Sequence, residues 1–200
     1  MYTIAESYNS QKAHRFTMII AIVSICMAFG GLTSAYIVRK GAGNWVDFSM
    51  PVAFYTSTII ILISSVTMHV AHISNKKGYV NMFAFSLLVT IVLGLIFAFY
   101  QFQGWQELTN AGIYLDGNPS GSFFYVITGM HAVHVLGGVI FLFLAFIKSL
   151  WLFIVKKQKA TFLGNSKALI IRTDLLVMYW HFMDFLWIYL FIFLFFNLNQ

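Results

Sequence analysis

The stretch YWHFMDFLW, residues 179–187, places a histidine and a carboxylate inside a segment that is otherwise apolar. A charged side chain at the centre of a bilayer costs about 2.5–3.5 kcal/mol on insertion scales. We therefore expect His181 and Asp184 to face protein or trapped water rather than lipid. Trp180, Asp184 and Trp187 are spaced i, i+4 and i+7, so they share one face of a helix, and His181 lies one turn before Asp184.

The composition around this stretch is that of a protein dissolved in lipid. Of the 200 residues, 60% are hydrophobic and 9% are charged, and the mean hydropathy is +0.82. These values predict a single all-α, polytopic membrane domain over residues 1–200. The net charge of +6 sits in short loops, which indicates membrane topology and lipid headgroups rather than nucleic acid. Cys26 is the single cysteine, so no disulfide can form within the chain, and residues 1–12 lack the apolar core of a signal peptide.

Five apolar segments are long enough to cross the hydrocarbon core, which needs about 20 helical residues. Helices are expected because every backbone polar group must be satisfied within its own segment. The predicted spans are 16–38, 52–73, 80–102, 123–147 and 175–196. The two prolines fall in the predicted loops, which leaves the spans free of proline kinks.

Basic residues predict the orientation of these spans. One side of the membrane carries most of them: Lys12, Arg15, Lys76, Lys77, Lys156, Lys157, Lys159, Lys167 and Arg172. That side is expected to be cytoplasmic. The N-terminus then lies inside and the C-terminus outside, which agrees with an odd number of spans.

The fourth span contains a second group of polar residues. Thr128, His131, His134 and Gly138 fall within about one helical stripe. Gly138 would let another backbone approach beside the two histidines. Lys148 follows near the inner interface, where its long side chain can reach lipid headgroups.

Two further patterns concern helix packing and capping. Gly30 with Ser34, and Gly31 with Ala35, are small-xxx-small pairs that favour a close helix crossing in the first span. Asp174 precedes the last span and is expected to cap its N-terminus.

The histidines leave three interpretations open. Metal ligation would need several histidines at one depth, whereas His69 and His72 lie near the cytoplasmic end and His131 and His134 in the outer half. Hydrogen bonds between helices, made by His131, His134, His181 and Asp184, would fix the bundle. A proton-conducting or water-lined role for Asp184 is the third interpretation. For the pair in the second span, residence among the headgroups is the expected role.

Two motifs together resemble subunit III of the haem–copper terminal oxidases. Residues 179–187 are similar to the family's YWHFVDxVW, and TGMHAVHV, residues 128–135, is similar to its TGFHGxHV. Both occur in the family's order and on the corresponding spans. Weaker similarity in residues 64–67, 29–36 and 94–101 extends the resemblance through all five spans.

The resemblance implies the short, five-helix bacterial form of a non-redox accessory subunit. Such a subunit packs against subunit I of a proton-pumping cytochrome c oxidase, beside subunit II and further subunits, in the bacterial inner membrane. The haems and copper belong to the partner subunits, and this chain is expected to bind no cofactor and to be non-catalytic alone. The family binds phospholipid, supports proton uptake and protects subunit I. A larger respiratory supercomplex is a further possible assembly.

The resemblance also carries departures and particular residues. Lys148 falls where long-form members have an arginine near phospholipid headgroups, so it is the lipid candidate. Ile25 stands where many members carry a glutamate, and Gly104 where they often carry another. A cleft that the missing first two helices of the long form would complete is expected to be incomplete or completed by a partner chain.

Three competing functions remain at this point. The same subunit of a quinol oxidase differs only in the electron donor, which binds elsewhere. An independent proton-coupled transporter would use Asp184. A haem-binding protein would use the histidines.

Overall fold

Five long helices make up the computed structural model, which describes residues 4–155 and 159–198, with side chains described for 12–151 and 173–198. The helices are α1 (Ile4–Gly41), α2 (Val52–Lys76), α3 (Val80–Asn110), α4 (Pro119–Val155) and α5 (Lys159–Leu198). Each contains a stretch long and apolar enough to cross a membrane. The predicted all-helical architecture with five candidate spans is therefore confirmed.

The helices extend beyond the predicted spans because hydropathy measures only the part that fits in lipid. The largest extension is in α5, which begins at Lys159 rather than near residue 175. Asp174 consequently lies inside the helix, and the expectation that it caps the N-terminus is wrong. Pro119 is the first residue of α4 rather than a loop residue. Its missing N–H would be unpaired at that position anyway.

Four of the helices form a continuous core, and the fifth lies at its edge. Helix α2 packs along α3 and α5, and α4 packs along α3 and α5. In the part of the chain that the structure describes, α1 contacts α4 and α5 alone. The polar and aromatic groups described below therefore lie inside a four-helix unit.

One end of the bundle, here named the loop end, carries the connections 42–51 and 111–118. The Glu107 carboxylate accepts a hydrogen bond of 2.9 Å from the Val52 backbone N–H, at the start of α2. The Lys40 ammonium donates at 2.6 Å to the backbone carbonyl of Asn197, near the end of α5. Both charges have the sign that the helix dipole favours at that terminus.

The opposite end, here named the basic end, carries Lys12, Arg15, Lys76 and Lys77. Asp174 of α5 lies 3.2 Å from the Arg15 guanidinium of α1 and 3.4 Å from the imidazole of His72 in α2. This carboxylate therefore joins three helices. Of the other predicted basic residues at this end, Lys156 and Lys157 lie outside the described residues, as do the side chains of Lys159, Lys167 and Arg172.

The small-residue pairs of α1 lie on the surface of the described part of the chain. Gly30, Gly31, Ser34 and Ala35 are all exposed. A Cβ atom added to either glycine would meet no atom within 4 Å. The close crossing that these pairs favour is not made inside the described chain.

Candidate functional site

Trp180 occupies the centre of the four-helix core. Its indole is 1% exposed and lies in a slot between Gly94 of α3 and Gly138 of α4. A Cβ atom added to Gly94 would lie 2.9 Å from the indole, and one added to Gly138 would lie 3.2 Å from it. Gly138 was expected to admit a backbone, and it instead admits this ring and that of Tyr179. The two glycines therefore let the tryptophan of α5 reach between its neighbouring helices.

Hydroxyl groups of α2 form hydrogen bonds with indole and imidazole rings of α5. The Trp180 indole N–H donates to Ser64 Oγ at 2.9 Å, and the Trp187 N–H donates to Thr58 Oγ1 at 2.9 Å. Next to the first of these bonds, Ser65 Oγ and His181 Nδ1 share a hydrogen bond of 2.8 Å. We name the set of six side chains in these bonds the polar seam. Hydrogen bonds between membrane helices supply part of the association that apolar contact with lipid cannot supply.

Similar bonds tie α2 to α3. The buried Gln101 amide donates to Ser57 Oγ at 3.0 Å. Thr67 and Thr90 share a hydrogen bond of 2.8 Å between their hydroxyls. Helix α2 is therefore bonded through side chains on both of its packed faces.

Asp184 is buried beside the polar seam without joining it. Its side chain is 4% exposed, and its Oδ2 lies 3.7 Å from His181 Nδ1, beyond hydrogen-bond length. Neither carboxyl oxygen has a hydrogen-bond partner among the described residues. In this pair, His181 therefore makes the hydrogen bond from α5 to α2. Asp184 is the more deeply buried of the two and makes no such bond within the described part of the chain.

His131 is a packing residue in this structure. It is fully buried, and neither ring nitrogen has a hydrogen-bond partner among the described side chains and backbone groups. Its ring centroid lies 5.0 Å from that of Trp187, 5.9 Å from Phe97 and 6.4 Å from Phe29. Edge and offset contacts of this kind stabilise aromatic pairs beyond their buried area.

The other predicted residues of α4 bond in different ways. Thr128 accepts a hydrogen bond of 3.0 Å from the Trp105 indole of α3. The His134 ring nitrogen Nδ1 lies 2.7 Å from the carbonyl of Met130 in its own helix, and the His134 carbonyl accepts from the Tyr179 hydroxyl at 2.8 Å. Of the four groups expected to bond between helices, His181 is the one whose side chain does so.

The histidines of α2 face different surroundings. His72 lies against Asp174, as described above. His69 is exposed, and its ring centroid is 6.3 Å from that of His181. Within the described residues, no group of three metal-ligating side chains comes together.

A cleft of about 540 Å³ opens between α1, α4 and α5 near the basic end. Its walls are mostly apolar and include Met18, Phe141, Leu144 and Leu176. Lys148 lines the same cleft and is exposed, with no acidic partner among the side chains that the structure describes. An apolar trough that carries one cation is suited to an amphipathic anion.

The two departures from the family pattern have different surroundings. Ile25 is partly buried against the core, and no acidic residue occupies the described part of α1 from Lys12 to Gly41. Gly104 lies directly against the ring of Phe54, and a Cβ atom there would collide with that ring. A glutamate at position 104 would therefore displace the Phe54 ring, which stacks on Trp187 with centroids 5.8 Å apart.

Sequence reasoning missed the partners of the tryptophans and the cleft. Ser57 and Thr58 of α2, which bond Gln101 and Trp187, were not among the predicted residues. The run of Ser and Thr at 56–58 is the signal that could have identified them. The cleft could not be found in this way, because its apolar walls look like any lipid-facing surface.

Comparisons with known proteins agree with this arrangement. The family model of cytochrome c oxidase subunit III matches residues 3–198. A probable cytochrome c oxidase subunit 3 of Nocardia farcinica is 30% identical over 193 residues, which cover 93% of this chain and 89% of the relative. The cytochrome c oxidase subunit 3 of Corynebacterium diphtheriae is 33% identical over 178 residues, covering 85% and 81%.

A relative from another class of oxidase also matches. The cytochrome bo(3) ubiquinol oxidase subunit 3 of Buchnera aphidicola is 27% identical over 199 residues, covering 97% of this chain and 98% of the relative. The matches run across almost the whole length of both proteins, through all five helices. The chain is a multi-pass membrane protein and belongs to the cytochrome c oxidase subunit III family, whose members bind no haem or copper themselves.

Proposed function

We propose that this chain is the non-redox accessory subunit of a proton-pumping cytochrome c oxidase in a bacterial inner membrane. It stabilises the haem-bearing subunit I, contacts subunit II and the other chains of the complex, and supports proton uptake during aerobic electron transport. The observation that carries the proposal is the family match over residues 3–198. The chain contributes to the oxidase reaction as part of the complex and is not catalytic alone.

Cytochrome c is the proposed electron donor of that complex. Two of the relatives described above carry the name of a cytochrome c oxidase subunit and one that of a ubiquinol oxidase subunit. The quinol oxidase is therefore the second candidate. The proposed orientation has the basic end in the cytoplasm, because lysine and arginine concentrate there.

Co-purification tests the proposal most directly. The tagged chain, extracted in mild detergent, is expected to bring down a larger subunit with haem absorbance and a smaller subunit with a dinuclear copper site. A complex without that copper site would indicate the quinol oxidase. A chain that purifies alone and takes up protons in liposomes, with uptake abolished by Asp184→Asn, would instead support the transporter. A Soret band in the isolated chain would support haem binding.

We infer a structural role for the polar seam and for the seven family-motif residues. These are Thr128, His131, His134, Trp180, His181, Asp184 and Trp187. Asp184→Asn keeps the shape of the side chain and removes the ionisable group. Turnover per assembled complex is expected to stay unchanged, although less of the mutant chain assembles with subunit I. Slower turnover or pumping in the assembled mutant would show a proton-relay role instead.

We infer a phospholipid in the cleft, with its acyl chain along the apolar walls and its phosphate beside the Lys148 ammonium. The support is the cleft's volume of about 540 Å³ and the presence of the Lys148 side chain in its lining. Lys148→Ala is expected to lower the number of phospholipids retained per purified complex. Lys76→Ala is the matched control, because that lysine is exposed at the end of α2, away from the cleft.

A second variant tests the cleft walls. Leu144→Trp adds bulk inside the cleft and is expected to displace the acyl chain, as measured by mass spectrometry of retained lipids. Ile140→Trp, on the same helix but outside the cleft lining, provides the control. Equal lipid content in all four variants would contradict the assignment.

A further inference from the structure

Two imidazoles reach the outer surface of the bundle at a depth where lipid cannot satisfy them. His69 is exposed, and the side chain of His181 is 35% exposed. Both lie on the face shared by α2 and α5, with their ring centroids 6.3 Å apart. We name this surface the histidine face and include in it the exposed α2 residues around His69, which are Tyr55, Ile59, Leu62, Val66 and Ile73.

The position of these rings along α2 places them well inside the membrane. Helix α2 runs from residue 52 to residue 76, so its midpoint is residue 64. Ser65, which bonds to His181, is next to that midpoint. His69 lies five residues further, or about 7.5 Å along the axis. The hydrocarbon core extends about 15 Å on each side of its centre, so headgroup residence does not fit His69.

The exposed faces of α3 and α4 differ from this one. In α3 every exposed side chain between residues 82 and 102 is apolar, and the same holds in α4 between residues 126 and 147. The partly buried His134 of α4 bonds the Met130 carbonyl of its own helix. Exposed apolar residues at helical spacing occur on α2, α3 and α4 alike, so the spacing does not distinguish the faces. The exposed imidazole of His69 does, because ionisable groups within membrane spans almost always face protein or water.

The kind of molecule that covers the histidine face follows from the hydrogen bonds that the imidazoles need. A neutral imidazole presents one N–H donor and one acceptor nitrogen, and acyl chains can bond neither. A water-filled channel would still need a second wall, because His69 lies on the lateral surface rather than in a closed cavity. A partner helix that carries a polar side chain at this depth satisfies the rings and covers the apolar residues around them.

We propose that the histidine face is the surface on which this chain docks against a transmembrane helix of a partner protein, with a hydroxyl, amide or carboxyl side chain of that helix opposite His69 and His181. The proposal rests on the proposed function, which makes that partner another subunit of the oxidase complex. It goes beyond that function by assigning the contact to the α2–α5 face rather than to the faces of α3 or α4.

Site-directed photo-crosslinking in native membranes tests the location. A benzophenone amino acid is placed at Val66, on the histidine face, and in a separate variant at Leu95, on the exposed face of α3. The probe at Val66 is expected to give a crosslinked product whose second peptide, identified by mass spectrometry, belongs to another oxidase subunit. The probe at Leu95 is expected to give much less. Products with lipid alone, or with a second copy of this chain, would overturn the proposal.

A substitution tests the polar contact itself. His69→Leu keeps the face apolar and removes the hydrogen-bonding group, so association with the partner is expected to weaken by about threefold to fifteenfold. Leu88→Ile on α3 is the control. Unchanged association in His69→Leu would count against the polar contact. If the complex forms but Val66 crosslinks no subunit, the docking proposal fails while the proposed function stands. If the unmodified chain brings down no oxidase subunit, the proposed function itself fails.

Discussion

The boundary between α2 and α5 and the boundary around α1 are built in different ways. The first contains three side-chain hydrogen bonds, and beside it the Trp180 indole of α5 inserts between a glycine of α3 and a glycine of α4. In α1, 11% of the most apolar window is buried, against 33% to 39% in the other four helices. Lipid is as apolar as leucine, so helices associate through close packing and polar contacts. The packing of α5 in the core has both, whereas α1 buries Phe29 and Tyr36 and leaves most of its length exposed.

Trp180→Ala is expected to give the largest loss of stability, because it empties the slot between Gly94 and Gly138 and leaves Ser64 without its donor. Removing a buried aromatic side chain of this size costs about 3–5 kcal/mol. Unfolding in mixed micelles with increasing denaturing detergent measures the change. Trp151→Ala is the control, because that tryptophan is 57% exposed. Equal losses in the two variants would mean that the slot is unimportant.

Two neighbouring glycines of α4 provide a matched pair. A Cβ atom on Gly138 would lie 2.9 Å from the Tyr179 ring, whereas one on Gly137 would meet nothing within 4 Å. Gly138→Ala is therefore expected to destabilise the chain by about 1–3 kcal/mol through overpacking. Gly137→Ala should be neutral or stabilise the helix by up to about 1 kcal/mol. The same unfolding assay separates them, and a reversed order would show that α4 and α5 are less closely packed.

A smaller effect is expected from single hydroxyls. Ser64→Ala removes the acceptor of the Trp180 N–H, and one interhelical hydrogen bond in a membrane is worth about 0.6 kcal/mol on average. Ser24→Ala in α1 removes a hydroxyl that bonds only the Ile20 carbonyl one turn back, so it should change stability less. If Ser24→Ala proved the more harmful of the two, the contrast between the polar seam and α1 would be incorrect.

The sequence predicted the five helices because length and hydropathy alone decide whether a segment can cross a bilayer. One of its open interpretations, a hydrogen bond between helices, is present between His181 and Ser65. It did not predict which neighbour each residue meets. Periodicity identifies one face of a helix, but in helices that are apolar all round it does not select the partner. His131 therefore lies among aromatic rings instead of donating to another helix.

Asp174 was misjudged because the end of an apolar run was taken as the end of a helix, and polar residues can continue a helix beyond the lipid. The pairs around Gly30 and Gly31 stay a prediction of close packing, and neither glycine has a close neighbour among the described residues. A pattern that favours close approach does not say whether the neighbour belongs to the same polypeptide.

The peripheral place of α1 has a consequence for biosynthesis. Chains are made from the N-terminus, so α1 is the first helix to leave the ribosome, yet its neighbours α4 and α5 are the last two. During most of translation it has no partner in its own chain, while α2 and α3 can pair as soon as both are inserted. Arg15 and Lys40 meet Asp174 and Asn197 only when α5 is complete. Truncated products that lack both α4 and α5 should therefore contain a free first helix exposed to membrane quality-control proteases.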